Sequence, residues 1–208
     1  FARPGYGMRG MFPEFYFYDC HSCHRAITDG PARRLTFETN PSRPIPFGNP
    51  PFNDENIIML SAVSGALAPA AGEAFSAASA AFHRAMGEDR EAAQAAAVTL
   101  RERAQALSAA FAARSYKGAD IHRVVANIAS ATTAPRFTDY AGSVQAVMAI
   151  DTLLNALVRE RSVTVGAAAG IRASINRAYA AVAAPETYRP AEFRTALASA
   201  TNAIGSLR

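Results

Sequence analysis

The residues best equipped for chemistry in this chain stand within five positions, Cys20, Cys23 and His24, in the stretch FYDCHSCHRAI that runs from 17 to 27. Both cysteines and two of the four histidines fall there. The spacing C-x-x-C-H is the one used for covalent attachment of a c-type haem. On a helical turn, positions three and four apart share a face. Two thioethers can then fix the edge of a porphyrin while the imidazole of His24 is delivered to the iron as an axial ligand. Two other chemistries use similar residues. A redox or structural C-x-x-C disulfide belongs beside a βαβ pattern, which this sequence does not offer. Zinc could recruit Cys20, His21, Cys23 and His24, but ligands on consecutive turns can hardly surround one tetrahedral ion, and no second C-x-x-C or H-x-x-x-H completes the shell. With no further cysteine, a wider disulfide framework or an iron-sulfur cluster lacks ligands.

A haem held by His24 asks for a group on the other side of the iron. His83 lies in SAASAAFHRAM, at the margin of an apolar stripe formed by Phe75, Ala78, Phe82 and Met86, and the small residues Ser79 and Ala80 one turn earlier leave room for a flat ring. It is the preferred sixth ligand. His122, close behind Asp120 at the start of its helix, is the first alternative, because the helix dipole there discourages protonation and a neutral imidazole can ligate iron. Met59, in ENIIMLSA, is the second, although methionine at such a position is usually core filler. His21 sits inside the clamp and points more naturally away from the iron, toward another cofactor. Two histidines leave no open position and favour a lower reduction potential than a His/Met pair. Such a centre passes electrons and does not act as an enzyme. Arg33 and Arg34 are the candidates to pair with the haem propionates, since guanidinium forks match carboxylates.

These residues need elements to position them, and the chain of 208 residues has two kinds of sequence. Residues 1–52 carry eight of the twelve prolines and ten of the nineteen Phe and Tyr residues. Proline removes a donor and biases its predecessor away from the helical region, so this part reads as an extended arm. Its aromatics, among them Tyr16, Phe17, Tyr18, Phe37, Phe47 and Phe52, cover either the helical body or a macrocycle. From 53 to 208 apolar residues return at three- and four-residue intervals, as in Ile121, Val124, Val125 and Ile128. Helices are expected from an Asn53 cap to Leu67, from Pro69 to Met86, and over 88–115, 119–131, 137–160, 162–183 and 190–206. Asp120, Ser162 and Pro190 mark starts, and Gly87, Gly118 and Gly205 mark ends. The fold class is therefore all-α, a helical bundle preceded by a proline- and aromatic-rich arm that carries the haem motif.

Half of the residues are apolar and 18% are charged, which suits close-packed helices. The formal charge of +4 is spread along the chain rather than gathered into a patch, so nucleic acid is not an expected partner. No run reads as the roughly 20 apolar residues of a transmembrane span. Outside the clamp there is no nucleophile-base constellation and no phosphate loop.

The stretch EFYFYDCHSCHRAI, followed by GNPPFNDENIIMLSAVSGALAPAAGEAF and AFHRAM, resembles the last haem segment of bacterial multihaem c-type cytochromes. The resemblance covers residues 14–86 and implies thioethers at Cys20 and Cys23, His24 as proximal ligand and His83 as distal ligand. A single C-x-x-C-H departs from the relay of such proteins. One haem then hands electrons to a redox partner protein or a neighbouring haem-bearing subunit, in a complex or a homo-polymer. Haem attachment also implies a periplasmic or extracellular address. A second likeness is to the PsbQ-type extrinsic subunits of photosystem II, carried by INRAYAAVAAPETYRPAEFRTALASATNAIGSL behind a proline-rich arm. It implies a non-redox docking scaffold in the thylakoid lumen, with the cysteines in a local disulfide or free.

Overall fold

Local capping chemistry accounts for most of the helix starts. Asp89 accepts a bond from the Ala92 amide at 2.8 Å, Asp139 from Gly142 at 2.5 Å and Thr164 from Ala167 at 3.2 Å, each satisfying an amide that the first helical turn leaves without an intrahelical partner. Pro69 and Pro190 occupy first positions, where the missing N–H costs nothing. The computed structural model describes Tyr18 and residues 52–207 except 135, 136 and 138. Its helices are α1 (Glu55–Leu67), α2 (Pro69–Ala85), α3 (Arg90–Ala112), α4 (Gly118–Thr132), α5 (Tyr140–Arg159), α6 (Val165–Ala181) and α7 (Pro190–Gly205), with a short 3-10 turn at Pro185–Thr187 before α7. The molecule is an all-α helical bundle; among the described residues the only extended pairing is an isolated antiparallel bridge between Tyr18 and Phe52.

Several expected boundaries move, each for a local reason. Asp54 rather than Asn53 stands at the cap of α1, its carbonyl accepting from Ile57 and Ile58. Gly118 opens α4 instead of ending α3, because Asp120 reaches back to the Lys117 amide at 2.9 Å and draws the helix start upstream. Ser162 belongs to the end of α5, not the start of α6. Its amide bonds to Leu157 O at 2.9 Å and that of Arg161 to Val158 O at 3.0 Å, the paired bonds of a Schellman closure with Arg161 in the left-handed conformation, φ 58°.

Helices α4, α5, α6 and α7 each pack on the next, α7 returns to α4, and α5 also touches α7. Their shared interior holds Ile128, Val147, Ile150, Leu154, Leu157, Ile175, Phe193, Leu197 and Ile204, all fully buried. Burial of each such side chain is worth about 1.5–3 kcal/mol against the entropy of ordering the chain. Helix α5 is long and apolar enough to cross a membrane by length and composition, contrary to the expectation from the sequence. In this bundle its Val147, Ile150, Leu154 and Leu157 face is core.

Helix α1 lies on α4 and α5 and turns into α2 through the single residue Ala68. The corner is tight. A Cβ at Gly72 would stand 2.7 Å from Ser64 Oγ and 2.9 Å from the Ser64 carbonyl carbon. Helix α3 packs on α2 around a small second core of Phe82, Met86, Ala93 and Ala97, with Phe52 against it.

Candidate functional site

His83 is placed by the last turn of α2 and Asp54 by the cap position of α1, and the close α1–α2 corner brings these distant residues together. The His83 Nε2 lies 2.8 Å from Asp54 Oδ2, with the two side chains 1% and 2% exposed. A carboxylate only accepts, so Nε2 carries the proton in this contact. No side-chain bond to the amides of α1 comes from Asp54; its carboxylate is turned from capping to the histidine.

Aromatic rings enclose the pair. Phe52 meets His83 edge-on with centroids 5.8 Å apart and Phe82 with centroids 5.0 Å apart, while Phe82 and His83 are 6.4 Å apart and tilted. Edge-to-face packing of this kind fixes ring orientation as well as excluding water. Phe52 is also the residue bridged to Tyr18. In the sequence Cys20 comes two residues after Tyr18.

The chain matches no family model, no curated protein and no solved structure.

Cys20, Cys23, His24, His21, Arg33 and Arg34 lie outside the described residues. The three candidates for the far side of the iron are described, and the fold keeps them apart. Met59 is buried in α1 and lines a groove with Val124, Ile128 and Met148. His122 is buried in α4 and lines a different cleft with Gly118, Ser162 and Leu207. His83 lines neither of these, and of the three it alone sits beside Phe52, the residue bridged to Tyr18.

A metal-ligating histidine typically gives its other ring nitrogen to a carboxylate or carbonyl, which sets the tautomer and raises ligand basicity. The Asp54–His83 contact has this form, with the Phe52 and Phe82 rings beside it. Among the described residues no group of three or more His, Cys, Asp or Glu side chains forms a metal cage. Asp54 was not legible as part of the site. Its only signal is redundancy, since Asn53 and Asp54 are adjacent and a helix needs one cap.

Proposed function

We propose that the protein is a c-type cytochrome with one covalent haem, working in electron transfer inside a larger complex or polymer. Cys20 and Cys23 would hold the porphyrin by thioethers, His24 would ligate the iron from the motif and His83 from α2, with Asp54 orienting His83 and Arg33 and Arg34 facing the propionates. The bound haem would supply a one-electron couple; the chain's own residues hold it, orient it and keep water from it. The observation that carries the reading is the C-x-x-C-H motif beginning two residues beyond Tyr18, whose partner Phe52 packs on the buried His83.

Closed coordination by two histidines favours electron transfer over substrate turnover, and thioether formation requires an export compartment, periplasmic or extracellular. Intact mass under reducing, denaturing conditions tests the proposal directly. A chain heavier than its amino acids by one haem, with a haem absorption band that survives unfolding, is the expected result; a colourless chain of bare polypeptide mass ends it. In the red protein His83→Ala is expected to convert six-coordinate low-spin iron to five-coordinate high-spin iron. An unchanged spectrum reassigns the ligand to His122, Met59 or another chain.

The second reading, a non-redox scaffold of PsbQ-like kind, draws on the bundle and on the Asp54–His83 contact serving as a structural pair. It predicts a colourless protein whose Cys20 and Cys23 are linked to each other or free.

A further inference from the structure

Between α1, α4 and α5 runs a groove of about 510 Å³, within the size range of small-molecule sites. Its floor and walls are apolar, from Met59, Val63, Val124 and Ile128, and its lip is formed by Met148 and Tyr116, which are 48% and 39% exposed. Exposed apolar side chains beside a preformed slot mark a place where an apolar partner is received.

One end of the groove is charged. Arg114 donates to the carbonyl of Leu67, has a nitrogen 3.7 Å from the Asp120 carboxylate and sets its guanidinium 5.9 Å from the centre of the Tyr116 ring. Leu67, Tyr116 and Asp120 all line the groove. Arg123 pairs with the same carboxylate and Lys117 gives it a backbone bond, so two guanidinium groups flank one anion. The Arg114 and Arg123 side chains are 44% and 52% exposed. This end has positive charge in excess of what Asp120 neutralises, while the far wall is neutral at Gln145 and Thr152.

We propose that the groove binds a single-chain amphiphile with a carboxylate head, the tail lying along Met59, Val63, Val124 and Ile128 and the head on Arg114. A guanidinium matches a carboxylate in geometry as well as sign, and unbranched methionines adapt to a flexible tail. The apolar lip is a short stretch against the roughly 1,000 Å² that a stable protein interface needs, so a narrow chain fits better than a second copy. The proposal is independent of haem.

The test titrates the purified full chain with sodium dodecanoate below its micelle-forming concentration, beside dodecyltrimethylammonium with the same tail. Calorimetry reads affinity, and carbon-13 methionine methyl resonances locate the ligand. Saturable binding of dodecanoate that shifts the Met59 and Met148 methyls is expected, with the cationic amphiphile weaker by about tenfold or more, a head-group difference typical of one desolvated charge pair. Arg114→Gln should weaken dodecanoate by a similar factor and spare the cation, Arg114→Lys should keep part of the preference, and Met148→Asp should weaken both. Because Met148 is half exposed, that variant tests the groove even where an Arg114 change unsettles the corner at Leu67. Equal affinity for the two heads, absence of dodecanoate binding, or binding that leaves both methyls unmoved overturns the proposal. So does a dimer in sedimentation that Met148→Asp dissociates, for then a second copy fills the groove.

Discussion

At the residue scale the fold turns on where two carboxylates direct their oxygens. Asp54 gives its carboxylate to His83 across the α1–α2 corner, and removing it strands a buried imidazole. Asp54→Ala should cost about 1–3 kcal/mol in chemical unfolding, and combined with His83→Ala it should show a coupling of about 0.5–3 kcal/mol; strictly additive losses would mean that the contact contributes nothing. Asp120 makes the opposite choice and serves its own helix. The Lys117 amide, then the charges of Arg123, Arg114 and Lys117, hold its carboxyl below the usual carboxylate range against the opposing effect of burial. The folded state therefore binds that proton less readily than the unfolded chain. Its stabilisation is complete above the ordinary carboxylate value and is lost as pH falls through the lowered one. Urea melts across pH should show Asp120→Asn less stable than the parent near neutrality, with the gap closing in acid. A gap that stays constant with pH would contradict the assignment.

Helix ends and crossings carry the next tests. Arg161 closes α5 in the left-handed conformation that glycine adopts without steric cost, and its side chain is exposed. Arg161→Gly should stabilise the protein by roughly 0.5–1 kcal/mol, the relief of the Cβ clash less the added freedom of the unfolded chain; a lower melting temperature would contradict this. At the α1–α2 corner the effect reverses. Gly72→Ala pushes a methyl toward the Ser64 backbone as well as its side chain, and an overpacked crossing of this kind typically costs about 1–3 kcal/mol. The same variant should disturb His83 and Asp54, since this corner sets their separation.

Across the whole molecule two cores of unequal size predict unequal persistence. The closed set α4 to α7 shares a large interior with α1, whereas α3 depends mainly on α2 and a small cluster around Phe82 and Ala93. Amide exchange should protect the α5 and α7 interiors most strongly and release α3 at a lower free energy, because local opening follows buried apolar contact. Uniform protection over α3 and α5 would show a single cooperative unit instead. Leu154→Ala, at a fully buried α5 position, should cost about 2–5 kcal/mol. If the second core also faces a haem, covalent loading should raise protection in α2 and α3 more than in α5.

The sequence by itself determined the helices, since their three- and four-residue apolar spacing and proline at 69 and 190 are local signals acting over one or two turns. It also singled out His83 and the C-x-x-C-H spacing, because ligand types at short separations are visible in one dimension. Only the tertiary structure decided which of several good local partners each polar group would take. Asn53 and Asp54 are equivalent caps on paper, and the proximity of α2 alone turned Asp54 to a histidine 29 residues away. Ser162 has a start-like side chain, yet the closure of α5 claimed its backbone first. Leu67, Arg114, Tyr116 and Asp120 have no sequence pattern in common; the packing of α1 on α4 joins them at one end of an apolar groove. Contacts between residues far apart in the chain depend on how whole helix faces bury their apolar surface, and local spacing has no access to that.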